Sequence, residues 1–246
     1  MKAHGIRCEN DLKLAEDLLN DVMVQKTRAD LDRMTEKGPM GVRRRLLSSS
    51  VRLSRSMSPS VHRMTDHCVQ KLGVDIPLEL YAYASPQFNA ACFKPEDGRL
   101  FIIFSSSLLE AFDKNELMFV VGHELGHHVY QHHDIPVGYI ATGNQQLPAS
   151  LALQLFAWTR YAEISADRAG AFCANDLSAV AQALFKLASG LTSERVVSFN
   201  LSEFLKQMDE MQAVDAEPGQ GAPVEDWFST HPFSPLRVKA LQLFHQ

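Results

Sequence analysis

The chain lacks any long apolar run. A membrane-spanning helix needs ~20 uncharged apolar residues, and the nearest stretch, residues 147–158, is too short. Its Leu, Phe and Trp suit a core helix or, at most, peripheral contact with a membrane. The opening residues MKAHGIRCENDLKLAEDLL hold no apolar segment of signal-peptide length. Cysteine is also scarce. Cys8, Cys68, Cys92 and Cys173 form no close pairs, which argues against a disulfide framework or a cysteine metal knuckle. Free buried thiols in a reducing compartment, and hence a cytoplasmic location, are the expectation. Excess positive charge is missing too: the net charge of −5 excludes a general nucleic-acid binder.

What is present suits one globular domain with an appended arm. Hydrophobic residues make up 46% of the 246 positions, enough for a sizeable core. The charge is unevenly placed. Basic residues outnumber Asp30, Asp32 and Glu36 between Lys26 and Arg63, whereas acidic residues face Lys206 alone between Glu203 and Asp226. The basic run is a solvated helical face or a contact for an acidic partner.

Apolar periodicity predicts one amphipathic helix over residues 9–36, stopped by Gly38-Pro39. An Arg- and Ser-rich stretch follows, a linker or an Arg-studded helix. A helix is expected over 61–72, ended by Gly73. Three strands are expected over 76–85, 88–94 and 99–105, the last two joined by a Pro95-Glu96-Asp97-Gly98 turn. A short helix at 106–111 precedes a long one, capped by Asp113 or Asn115 and reaching about His133. Residues 134–148 read as a loop and a candidate lid. Further helices are expected over 149–172, 177–188, 196–211 and 236–244, with an acidic, Pro- and Gly-rich loop over 213–224.

The chemistry sits on the long helix. His123 and His127 are four residues apart, on one face and one turn apart, so both reach a single metal ion. Glu124 between them is placed to meet a metal-bound water and act as its general base. Leu117, Val120, Val121, Leu125 and Val129 form an apolar stripe, so the helix is buried, and buried imidazoles and carboxylates need partners. Gly122 and Gly126 are costly inside a helix and imply close approach by another backbone or the metal. His128, His132 and His133 lie on other faces, either exposed or as outer neighbours of the ligands.

Catalytic zinc takes three protein ligands plus water. Glu163 is one candidate for the third. Asp167, one turn further along the same helix, is close enough to accept a proton from a ligating imidazole. The ordinary reading of Glu163, taken alone, is a surface pair with Arg160.

Four segments in order resemble the M48 metallopeptidase family, the group of the CAAX prenyl protease and the heat-shock protease HtpX. They are Asn89-Ala90-Ala91 before a strand, Glu116-Leu117 through His127, Glu163-Ile164-Ser165-Ala166-Asp167, and Ser229-Thr230-His231-Pro232 followed by Arg237. The resemblance spans residues 61–246. It implies that Glu163 is the third zinc ligand beside His123 and His127, that Glu124 is the base, and that Asp167 orients a ligand histidine. It implies that His231 and Arg237 approach the cleft to steady the tetrahedral oxyanion or the substrate. Asn89, Ala90 and Ala91 would hold substrate backbone along an edge strand. Those membrane-embedded proteases have spanning helices around the motifs; this chain has none, so prenylated substrates do not carry over.

The expectation is therefore an α+β, mainly helical, zincin-like metallopeptidase with a small antiparallel sheet packed by the metal-binding helices. Residues 1–60 would form a helical arm and connector, and 61–246 the catalytic domain. The expected activity is zinc-dependent endoproteolysis of peptides or unfolded proteins, with protein quality control as the expected setting. The rival is a zinc-bound scaffold or chaperone-like binder with little proteolysis.

Overall fold

The computed structural model describes residues 3–37, 41–143, 147–193, 195–204, 206 and 241. The segment expected as one N-terminal helix forms two, α1 (Glu9–Leu19) and α2 (Val22–Lys37). The break lies at Asn20-Asp21. Asn20 Nδ2 donates back to the Glu16 carbonyl, and Asp21 Oδ1 accepts the amides of Met23 and Val24 at 2.8 and 3.2 Å. Asp21 therefore caps a new helix, and side-chain capping overrides the continuing apolar pattern. The Arg-rich stretch is ordered: α3 (Val42–Ser49) is followed by a short strand, β1 (Val51–Leu53).

Helix α4 (Pro59–Leu72) ends where expected, with Gly73 in the left-handed region at φ 71°. Strands β2 (Leu78–Tyr83), β3 (Ala90–Glu96) and β4 (Arg99–Ser105) complete a four-stranded sheet in the order β1-β2-β4-β3. The β3–β4 hairpin turns on Asp97 and Gly98, both at positive φ. The expected small sheet is there, but it is mixed. β1 and β3 run antiparallel to their neighbours, whereas β2 and β4 are parallel. The hairpin inserts β4 beside β2 and leaves β3 as an edge strand.

Helix α5 (Ser106–Ala111) is capped by Ser105. Helix α6 (Lys114–Val129), the metal-motif helix, begins in a capping box. Asp113 Oδ1 accepts the Glu116 amide and the Glu116 carboxylate accepts the Asp113 amide. It ends before the expected His133, because Gln131 at φ 59° reverses the chain into a short 3-10 turn, His132–Asp134. The expected loop beyond contains α7 (Val137–Thr142), with Ile140 buried. Helices α8 (Ala149–Ala174) and α9 (Leu177–Ser189) follow. Of the helix expected over 196–211, residues 201–204 are helical. The acidic loop over 213–224 lies outside the described residues, as does most of the last helix. No helix among the described residues is long and apolar enough to cross a membrane.

The main core joins the inner sheet face to α4, α6, α8 and α9, through residues such as Cys68, Phe104, Phe119, Val121, Leu125 and Leu184. A second cluster joins α1 and α2 to the first half of α8, through Leu18, Val24, Leu155 and Trp158. Helix α8 is thus shared, and the metal motif lies against it.

The α6–α8 seam is built from small residues. A Cβ on Gly122 would lie 2.8 Å from Cys173 Sγ and 2.9 Å from Gly170 Cα, and one on Gly126 2.9 Å from Ala169 Cβ. The two backbones meet there, which accounts for glycines in a buried helix. Gly170 is tighter still: its Cβ would come 2.5 Å from the Phe119 carbonyl oxygen. Gly170→Ala is expected to force the helices apart at a cost of roughly 1–3 kcal/mol. That corresponds to a fall of about 2–12 °C in Tm for a chain of this size. Thermal unfolding checks it, and an unchanged Tm would show that the seam yields freely.

Candidate metal centre

Helix α6 presents His123, Glu124 and His127, and α8 presents Glu163 and Asp167. All five are buried. Nε2 of His123 lies 3.1 Å from Nε2 of His127. The two Glu163 carboxylate oxygens face them at 3.5 and 3.4 Å. The three potential ligand atoms lie within 4.8 Å of one another. Glu163 is therefore no surface partner of Arg160, whose guanidinium lies over the Phe156 ring.

The far sides of both imidazoles are occupied. His123 Nδ1 is 2.9 Å from Asp167 Oδ1. A carboxylate accepts only, so the His123 proton sits on Nδ1 and its Nε2 lone pair turns to the centre. His127 Nδ1 is 2.9 Å from His132 Nδ1, and His132 Nε2 is 3.1 Å from Asp11 Oδ2. Two imidazole nitrogens and a carboxylate at van der Waals separation, all from buried side chains, form a donor set that fits a small divalent cation. Nitrogen and oxygen donors with two histidines suit zinc.

Glu124 stands apart from this donor set. Its Oε2 accepts the backbone amide of Cys92 at 2.8 Å. Cys92 lies on the edge strand β3, opposite Ile102 of β4. The Cys92 N–H is given to Glu124, on the side of β3 away from β4, where no strand pairs among the described residues. Burial pushes the Cys92 thiol well up from its ordinary range, with the Glu124 charge adding to the effect, so the thiol stays neutral.

The remaining expected residues are distributed less evenly. Asn89 directs its side-chain amide to Tyr83 Oη at 3.3 Å, and its backbone N–H donates to Ser105 Oγ. Ala90 and Ala91 open β3, Ala90 buried. His231 and Arg237 lie outside the described residues. Of the outer histidines, His132 is buried as a neighbour of a candidate ligand. His133 lines a cavity of about 340 Å³ with Lys94, Pro95, His128 and Asp134. Burial brings the His133 imidazole down to about 4, so it is neutral at physiological pH.

Sequence reasoning missed Asp11. This carboxylate is wholly buried and receives five side-chain hydrogen bonds: Arg7 Nε at 2.7 Å, Arg7 Nη2 at 3.1 Å, Trp158 Nε1 at 3.0 Å, Ser165 Oγ at 2.7 Å and His132. Burial opposes its charge, but the bonds from His132 and Arg7 outweigh that and hold it well below the usual carboxylate range. The signal available in the sequence was an acidic residue on the apolar side of α1, between Cys8 and Ala15.

Comparison with known proteins identifies relatives of the chain. The sequence model of Peptidase family M48 matches residues 56–158 and 140–244. The chain is 29% identical over 181 residues to a plastoglobule-localized metallopeptidase 48 of Arabidopsis thaliana, covering 70% of this chain and 52% of that protein. It is 24% identical over 222 residues to a protease HtpX homolog of Helicobacter pylori, covering 76% of this chain and 67% of that protein. The chain thus spans about half the length of the plant relative. No solved structure matches it significantly.

Proposed function

The chain belongs to peptidase family M48, and from that premise we propose that it is a zinc-dependent endopeptidase acting on peptides or unfolded proteins, in a protein quality-control role. The observation that carries the reading is the convergence of His123 Nε2, His127 Nε2 and the Glu163 carboxylate, with Glu124 bound to the backbone of β3, the edge strand of the sheet among the described residues. These three side chains would hold the ion. Zinc, when bound there, supplies a Lewis acid that acidifies water and polarises a carbonyl.

Every other task falls to the protein. Asp167 keeps the His123 proton on Nδ1. Glu124 takes the proton of the attacking water and later passes it to the departing amine nitrogen. The Cys92 amide fixes the Glu124 carboxylate for that exchange. The open edge of β3 takes substrate as an added strand, so that backbone is read more than side chains. Asn89, Ala90 and Ala91 are assigned to that contact. His231 and Arg237 are assigned to the tetrahedral oxyanion. The four cysteines are free and buried, which suits the reducing cytoplasm proposed as the location.

The test is incubation with an unfolded protein, followed by mass spectrometry of the products. New internal termini, absent when a zinc chelator is present, are expected. Intact protein in both samples overturns the proposal.

A further inference from the structure

We propose that Asp11, acting through His132, is a positioning residue of the metal centre that fixes the proton of His127 on Nδ1, so that the first helix is a working part of the site. The inference rests on the reading of His123, His127 and Glu163 as the ligand set. A metal ion on His127 Nε2 requires that nitrogen to be bare. The ring proton then sits on Nδ1 and needs an acceptor. The atom facing it, at 2.9 Å, is His132 Nδ1. An imidazole accepts on one nitrogen only when its proton is on the other. Asp11 Oδ2, 3.1 Å from His132 Nε2, accepts that proton and thereby opens Nδ1.

The chain of donors runs in one direction, from His127 to His132 to Asp11, and ends on a carboxylate. His123 is served by Asp167 directly. The two ligand histidines therefore use separate carboxylates, one beside Glu163 on α8 and the other on α1. The other four bonds to Asp11, from Arg7, Trp158 and Ser165, keep its charge in place. Ser165 Oγ also accepts the Cys8 amide at 3.0 Å, at the start of α1. The turn at Gln131 has a purpose in this scheme: it brings His132 back beneath the end of α6.

A purely structural role for Asp11, tying α1 to α8, predicts something different, and zinc affinity separates the two. The zinc dissociation constant of the full chain is measured by competition with a chromophoric chelator, with apo-protein Tm recorded beside it. Asp11→Ala and His132→Phe are expected to weaken zinc binding about 10–100-fold, and the double variant no further than the weaker single. His132→Asn restores an acceptor oxygen near the lost Nδ1 and is expected to bind zinc close to the wild type. Ser165→Ala removes a tie to Asp11, whereas Trp158 also packs edge-to-face on the His132 ring; Ser165→Ala is therefore the control, expected to lower Tm with zinc affinity kept.

Wild-type affinity in His132→Phe overturns the proposal, as does an equal loss in Ser165→Ala. If Asp11→Ala fails to fold, the comparison of His132→Phe with His132→Asn decides alone. A wild-type protein that binds no zinc overturns the ligand-set reading itself, and this proposal with it.

Discussion

Glu124→Gln is expected to keep its zinc and lose peptide cleavage by about 10²–10⁴-fold, the contribution of a positioned general base. The structure makes this substitution clean. Glu124 is buried on α6 but outside the three-atom donor set, and its Oε2 is bound to the Cys92 amide. Glutamine has the same length and still offers an oxygen to that amide, so the local fold and the edge of β3 stay in place. What is lost is the ability to accept a proton from water and return it to the leaving amine. Zinc content by metal analysis and cleavage rate of an unfolded protein are measured on the same preparation. A zinc-loaded variant that cleaves as fast as the wild type removes Glu124 from the reaction. If neither protein cleaves while both bind unfolded chains equally, the scaffold reading takes its place.

Much of the centre was legible because it is local. His123 and His127 lie one helical turn apart, as do Glu163 and Asp167, and helical periodicity alone puts each pair on one face, with Glu124 next to the first. The capping box at Asp113 and Glu116 and the stop at Gly73 are local as well. The glycines of α6 announced a close neighbour, and only the fold shows that it is the backbone of α8 around Gly170.

The misses share a physical cause. His132 was open to reading as an outer neighbour of the ligands, but its position was not, because it follows a residue at positive φ. Extended as helix it would sit about 140° around from His127, whereas the reversal at Gln131 stacks it beneath. Asp11 meets Ser165 and Trp158 across most of the chain's length, and no local pattern encodes such a contact. The parallel pairing of β2 with β4 is likewise a matter of where the hairpin inserts, not of residue alternation. The break at Asn20-Asp21 was readable in principle, since both residues favour helix ends. The apolar repeat across it masked the signal.

The centre is divided between two helices, and the division can be tested at its second half. Glu163→Ala leaves α6 and its two histidines intact. It removes the carboxylate that faces both Nε2 atoms at 3.4 and 3.5 Å. Two neutral imidazoles remain, with no anionic ligand to balance a divalent charge in a buried pocket. The loss in zinc affinity should exceed the roughly 10–100-fold cost of removing an outer-shell partner, and peptide cleavage should disappear with it. Alanine is a strong helix former, so α8 itself should persist, and far-ultraviolet circular dichroism checks that. The deciding measurement is zinc per chain in wild type and Glu163→Ala, each purified without added metal. About one zinc in the wild type and essentially none in the variant is the expected result; full retention of zinc by Glu163→Ala would contradict the assignment of Glu163 as the ligand that closes the site.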